Sequence, residues 1–592
     1  MCESSLTIRR RNAVDRLLKD LQDSTIEDLD LFPKYPFYLK IEPDKRELLF
    51  AALASNRSIK RIEVHFGIHD FKAEDISSFL MALRDGDGKF PLESIVLLST
   101  KYGLSHIEVC EALKPYKKSL RKFDIHCTRF NLEDAALPFS KTFISHDAFP
   151  ALEHFSLKGG FTANVRPRGQ ATSSIFNALT TNTVLREVNL IPFDPAPLSD
   201  SLIRFLLHQK SSVVNLSMVY PSFDDVPSQL IREFQQALAA NTTLESLTLG
   251  EGFSDDISCS RVLTGLANNV KLNKFHAPAI LPNSVEDIRC LNDLLARNQT
   301  LQMLRFVSFK NLLEPNLQLP SVFEAVATNR GLKELHLGLS RDNQDPFLEV
   351  EARKALTLQF CEMIANNQHL EKLFVRTSDN SFISFQENDS IIQLFRSLGR
   401  SKMLHTFSLS YEMRIQGDDR DVVDSLIQSF HQNISLRVLD LAVIGLSTVG
   451  LLKLMSYLRN DNRTLEQFTL TIEFKEKGAI SDDLLWTEFV RTMETNPRLV
   501  LSDGWSDYSS ASSAPHFEIC KKGLYFADLN KYGRRYIMGR SRKIPKSLWP
   551  RVLARVSKTS SDVYRGQTEV CQEADRLQYF LRYAIVNDRI LD

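Results

Sequence analysis

Leu179-Thr-Thr-Asn182-Thr-Val-Leu185-Arg-Glu-Val188-Asn-Leu190 has the form Leu-x-x-Asn-x-x-Leu-x-x-Leu-x-Leu, and that form recurs along the chain. It returns from Leu238 to Leu249 around Asn241 and from Leu295 to Phe306 around Asn298. The first leucine-type position of its second half falls at Ile59, Leu92, Leu120, Leu152, Leu185, Val213, Leu244, Leu272, Leu301, Leu332, Leu370, Leu404, Leu436, Leu465 and Leu499. Successive spacings run from 28 to 38 residues. A fixed period of this size is the signature of stacked supersecondary units rather than of one globule around a cleft.

Within a unit, two periodicities alternate. In the stretch Leu244 to Leu249, Leu244, Leu247 and Leu249 are apolar while Ser246 and Thr248 are polar, so the segment reads as a strand with one face turned inward. Before it, Glu233-Phe-Gln-Gln-Ala-Leu-Ala-Ala240 reads as the end of an amphipathic helix. The Asn between them occurs at 56, 182, 241, 269, 298, 329, 367, 433, 462 and 496. Asn tolerates the left-handed conformation that often closes a helix, so these positions are expected to be helix caps. One unit cannot bury its own apolar face, whereas neighbours on both sides can bury it. Fifteen parallel strands about 4.8 Å apart would give an inner sheet roughly 67 Å long.

The pattern resembles the leucine-rich repeats of the ribonuclease-inhibitor-like class over residues 50 to 500. That resemblance implies an α/β solenoid of about 14 to 15 strand–helix units, bent into a horseshoe with a parallel sheet on its concave side and a helical extension at its C-terminal end. The chain departs from the class at the usual Asn or Cys three places after the last strand leucine. Those places hold Gly160, Phe193, Gly252, Ser340 and Ile444. The side-chain ladder that supports the loops is therefore expected to be weak or absent.

Four regions follow: an N-terminal cap at 1–50, the solenoid at 51–503, a Ser-rich linker at 504–519 around Ser506-Asp-Tyr-Ser-Ser-Ala-Ser-Ser513, and a basic helical segment at 520–592. Between Cys520 and Lys558 there are twelve Lys or Arg and one acid, Asp528, although the whole chain has 73 of each sign. Lys521, Lys522, Arg534, Arg535, Arg540, Arg542 and Lys543 carry much of that charge, with Tyr525, Phe526, Tyr532, Tyr536 and Trp549 between them. Cations interleaved with rings suit phosphates and bases or an acidic partner. The apolar spacing of Leu548, Val552, Leu553 and Val556 instead suits a helix closing the last repeat. Leu529-Asn-Lys-Tyr-Gly-Arg-Arg535, Leu548-Trp-Pro-Arg-Val-Leu553 and Tyr579-Phe-Leu-Arg582 resemble the end segment of diatom leucine-rich repeat proteins. Ile544 to Leu553 also resembles an F-box, a motif that in its own family precedes the repeats.

No phosphate-binding Gly-x-x-x-x-Gly-Lys-Ser/Thr loop, His-Glu-x-x-His or Gly-x-Ser-x-Gly occurs, so no catalytic residue and no cofactor is expected. The eight cysteines lack Cys-x-x-Cys spacing, so no metal site is expected, and cytoplasmic or nuclear residence fits their scatter. No run of eighteen apolar residues suggests a membrane span. The 38 Phe, including Phe123, Phe155, Phe275, Phe407 and Phe468, are expected to fill the core.

What remains is binding. The outward strand positions form two rows: Asn189, Ser217, Thr248, His276, Arg305, His336, Phe374, Ser408 and Asp440, and beside them Glu187, Asn215, Ser246, Lys274, Met303, Glu334, Lys372, Thr406 and Val438. Most of these are small and polar. Lys274, His276, Met303, Arg305, His336, Lys372 and Phe374 differ, because Arg beside Met and an aromatic ring is the composition of an interface centre. His276 and His336, two strand spacings or near 10 Å apart, are too distant to share one ion. The expectation is a non-catalytic scaffold or adaptor, with a partner protein of unspecified identity on the concave face. The alternatives are nucleic-acid or acidic-partner binding through 520–558, and a leucine-rich repeat GTPase-activating protein. Members of that last family end in an acidic segment, where this chain is basic.

Overall fold

The computed structural model describes residues 14–31, 43–66, 73–99 (save 87), 103–127, 137–159 (save 146 and 147), 170–190, 198–219 (save 210), 221, 223, 226–250, 259–277, 284–306, 315–339, 350–377, 381–444 (save 414), 446–472, 482–496 and 499–501. The first 13 residues, the Ser-rich linker and the basic segment, with all seven cations singled out there, lie outside the described residues.

The fold is α/β: short parallel strands alternate with helices, in an open sheet. The chain forms two compact units, residues 1–280 and 281–592. Nothing in the repeat spacing marks that division. In the first unit the strands are β1 (Asp28–Leu31), β2 (Arg61–His65), β3 (Ser94–Ser99), β4 (Lys122–Cys127), β5 (His154–Gly159), β6 (Glu187–Leu190), β7 (Asn215–Val219), β8 (Ser246–Gly250) and β9 (Lys274–Ala277). In the second they are β10 (Met303–Phe306), β11 (Glu334–Gly338), β12 (Lys372–Arg376), β13 (Thr406–Met413), β14 (Val438–Ile444), β15 (Gln467–Ile472) and β16 (Val500–Leu501). Each strand from β2 to β15 begins two residues after a leucine-type position named above, and β16 one residue after Leu499. β1 lies upstream of them, within the segment read as a cap, and pairs with β2.

Alternation along each strand sends apolar side chains to the core. Phe123, Ile125 and Cys127 of β4 are fully buried while Asp124 and His126 between them are half-buried on the other face. Phe123, Phe155, Phe275, Phe407 and Phe468 are all fully buried, as core filling requires. Phe123 stacks on Phe143 at 4.5 Å and meets Phe155 of the next strand at 5.7 Å. Helices cover the core with an apolar stripe: in Asn388–Arg400, Ile391, Leu394, Phe395 and Leu398 are buried. One repeat departs from the strand–helix pattern, with a short π-helical turn, Ser140–Ile144, between β4 and β5.

The repeated Asn has a different role from the one expected. Asn241, Asn298 and Asn433 follow their helices with φ of −66°, −84° and −92°, extended rather than left-handed. Among the described residues, Ser24 is the one non-glycine with positive φ. The Asn side chain does the work instead. Asn241 Nδ2 donates to Leu206 O at 2.6 Å, in the last turn of the preceding repeat's helix, while its Oδ1 accepts from the amides of Thr243 and Leu244 at 3.2 and 2.8 Å. The same three bonds recur at Asn182, Asn269, Asn329, Asn367 and Asn433. Each Asn is buried, so its amide satisfies helix-end carbonyls and turn amides that water cannot reach. A side-chain ladder, expected to be weak or absent after the strand, is therefore present before it. Of the places where it was sought, Gly160, Phe193, Gly252 and Ser340 lie outside the described residues.

Candidate functional site

The second unit's sheet carries five of the seven residues picked from the strand rows. Its register is unbroken across β10 to β13. Met303 sits beside Glu334, Glu334 beside Lys372, and Lys372 beside Thr406. Arg305 sits beside His336, His336 beside Phe374, and Phe374 beside Ser408. Leu304, Leu335 and Leu373, the residues between, are buried beneath, so both rows stand on the opposite face, with strands about 4.8 Å apart. Lys274 and His276 belong to β9 of the first unit, where they neighbour Ser246 and Thr248.

Side-chain packing turns these rows into a defined surface. The His336 and Phe374 rings stack with centroids 4.3 Å apart and planes 16° from parallel. Glu334 holds the stack from one side: its Oε1 lies 2.8 Å from His336 Nε2 and its Oε2 accepts from Lys372 Nζ at 2.9 Å. Burial works against the Glu334 carboxylate, but the bonds from His336 and Lys372, with the charge of Lys372, outweigh it, and the carboxyl titrates below its usual range. An ionised carboxylate only accepts, so His336 Nε2 carries the proton in that bond. Burial pushes the His336 pKa down; Glu334 opposes this, and the positive charges of Arg305 and Lys372 add to it, leaving a net lowering from 6.5. His336 is accordingly a neutral ring at neutral pH.

The charges on this surface are unequal in availability. Lys372 is engaged by Glu334. Among the described residues, no carboxylate lies within ion-pair distance of Arg305 or of Arg376, which follows Phe374 by two places on the same strand. Met303 and Arg305 are half-buried and Arg376 is exposed. The stacked rings are therefore flanked by two cations whose fields are not locally cancelled. In the first unit Arg61 meets Asp28 at 3.1 Å, Lys158 meets Asp124 at 3.6 Å and His154 meets Glu187 at 3.1 Å, while among the described residues Lys122 and Lys274 have no carboxylate within ion-pair distance.

Two residues of this surface were not among those picked from the sequence. Glu334 was visible in its row, but its two bonds depend on side-chain conformation. Arg376 lay one alternation beyond the six-residue strand unit, and the period-two pattern carried through that boundary would have found it. Among the described residues, no three His, Cys, Asp or Glu converge as metal ligands, and no helix is long and apolar enough to cross a membrane.

No protein-family model matches the chain, and no curated protein matches it. Among solved structures, a similarity is found to one titled "Leiomodin-1 Actin-Binding Site 2 (ABS2)", at 12% identity and a TM-score of 0.19 over 34% of this chain and 87% of that one. A likeness of that size carries no argument about what this chain binds.

Proposed function

We propose that this chain is a non-catalytic scaffold of the leucine-rich repeat type, and that it docks a partner protein on the sheet face of its second unit. The observation that carries the reading is the His336–Phe374 stack held between Arg305 and Arg376 beside Met303. Rings prepacked by a neighbour lose little freedom on binding, and Arg with aromatic and Met side chains is the make-up of an interface centre. The partner's matching surface presents carboxylates to Arg305 and Arg376 and an apolar group to Phe374 and Met303. Lys372 contributes less, because a partner's carboxylate would compete with Glu334 for it.

Affinity capture from native lysate with mass spectrometry, using the full chain and the Arg305→Ala Phe374→Ala variant, tests the reading. Partners that disappear with the variant and reappear with Lys274→Ala support it. Partners kept by the double variant refute it. The basic segment supports a second reading through its twelve cations and interleaved rings. Nucleic acid recovered only when residues 504–592 are present, with binding that falls steeply as salt rises, would favour that one.

A further inference from the structure

We infer that the helical side of the second unit holds an oxyanion-binding pocket, able to take a phosphate group, between the helices Asn388–Arg400 and Arg420–Gln432. This is separate from the sheet-face reading above and does not rest on it. Three consecutive helices, Val350–Asn366, Asn388–Arg400 and Arg420–Gln432, border a groove of about 820 Å3. At one end it adjoins a smaller cavity of about 190 Å3 lined by Arg396, Arg400, Ser425, Gln428, Ser429 and Gln432. The lining is three i,i+4 pairs, two Arg on one helix facing two Ser and two Gln on the next, so each pair sits on one helix face.

Three features point to an anion as the occupant. The lining contains two guanidinium groups and four neutral hydroxyl or amide side chains, but no carboxylate. Arg396 and Arg400 are exposed, repel one another across one helical turn, and among the described residues have no carboxylate within ion-pair distance. The larger groove, which Arg396 also lines, carries four acids. Glu387 is paired with Lys354 and Asp424 with Lys453, and Asp389 precedes Arg396 by seven residues, about 10 Å along the helix. Asp421, one helical turn before Ser425, weakens the positive field of the pocket. Guanidinium forks, with the Ser425 hydroxyl and the Gln amides as further donors, match an oxyanion's several acceptor oxygens, while the Ser429 hydroxyl donates to Leu426 O at 2.6 Å.

Gly399 sets the shape. A Cβ there would lie 2.6 Å from Gln432 Oε1 and 3.2 Å from Ser429 Cα, so the bare glycine lets the two helices close beside Arg400. The volume equals about six waters at roughly 30 Å3 each, room for a tetrahedral ion and a partial hydration shell. Both helices end here, and their C-terminal dipoles, each worth about half a charge, oppose an anion. Two full positive charges exceed that opposition, and the pocket is open, so binding is expected to be weak, on the order of millimolar.

The test is calorimetric titration of the full chain with inorganic phosphate, and in parallel with O-phosphoserine and with sulfate, at fixed ionic strength. Phosphate and O-phosphoserine bind in the expected result, and Arg396→Gln Arg400→Gln weakens both by at least about tenfold, as loss of charge-assisted bonds requires. Lys402→Gln Arg420→Gln, which removes two charges outside the pocket, leaves binding unchanged. If the Arg variant melts differently from the parent, Gln428→Glu decides: it keeps both Arg and places a carboxylate in the cavity, and should abolish binding. Phosphate binding that survives these pocket changes belongs elsewhere, the basic segment included, and overturns the inference. So does the absence of binding to the parent chain. Sulfate bound as well as phosphate, and lost with the same pocket changes, supports a site that reads an oxyanion's charge and shape.

Discussion

Replacing Asn367 with Ala should cost far more than the same change at Asn462, and the difference follows from where each amide points. Asn367 is 1% exposed; its Nδ2 donates to Val326 O at 2.6 Å in the preceding repeat, and its Oδ1 accepts from the amides of His369 and Leu370 at 2.8 and 2.7 Å. Three bonds to buried or half-buried backbone, each with a net value of about 1 kcal/mol, give a loss of about 3 kcal/mol. Asn462 is half-buried, and its Oδ1 also accepts from two turn amides, Thr464 at 3.3 and Leu465 at 3.0 Å. Its Nδ2, however, bonds to Leu465 O within its own turn at 2.9 Å rather than to the preceding repeat, and at this exposure water can replace much of what all three bonds do. Its loss should be about 1 kcal/mol. Because repeats communicate through neighbours and global unfolding need not be two-state, amide hydrogen exchange is the appropriate assay. Protection at Leu370 should fall by about a hundredfold in Asn367→Ala, given a factor of ten per 1.4 kcal/mol, with a far smaller change at Leu465 in Asn462→Ala. Asn367→Asp sharpens the test. Its carboxylate would face Val326 O, so the buried acid's pKa rises above its unfolded value, and stability is lost as pH rises through that raised pKa. Equal losses at 367 and 462, or an Asn367→Asp variant as stable as the parent at neutral pH, would refute the ladder argument.

The other expectations concern the sheet face and two glycines. His336 should titrate below 6.5 by NMR. Its folded pKa is depressed, so the unfolded chain binds more protons; stability is full above about 6.5 and is lost as pH falls from there toward the folded value. Glu334→Gln should lower the His336 pKa further by removing the negative charge that opposes burial, an outcome read in the same titration. Lys372→Met should change stability by less than about 1 kcal/mol in a melting experiment, because the Lys372 side chain is 48% exposed. Gly265→Ala should destabilise by about 1 to 3 kcal/mol, since its Cβ would lie 2.9 Å from Leu238 Cβ. Gly417→Ala meets nothing within 4 Å and should cost only the strain of its φ of +66°, about 1 kcal/mol in the same assay.

The strands were legible because their cause is local. A side chain's face on a strand depends only on odd or even position, so Leu, Val, Ile or Phe in alternation identified β2 to β16 from sequence spacing alone. The Asn position was legible too, but its role was not. The left-handed cap and the inter-repeat bond favour the same residue type, and only the backbone angles of Asn241, Asn298 and Asn433 separate them. The π-helical turn at Ser140–Ile144 and the division of the chain near residue 280 have no counterpart in the repeat spacing.

The same distinction between position and contact governs the sheet surface. Residue type placed Arg305, His336, Lys372 and Phe374 in outward rows, yet it could not say which charges a partner would find available. Lys372 and Arg305 look alike in sequence. Glu334 engages the first, while the second faces a neutral His336 across the strand. If sheet-face binding is electrostatic, Arg305→Ala should therefore weaken a partner more than Lys372→Ala, although each removes one positive charge. Equal losses in a binding titration would mean that only net charge matters, and the arrangement of Glu334, His336 and Phe374 would then have no part in recognition.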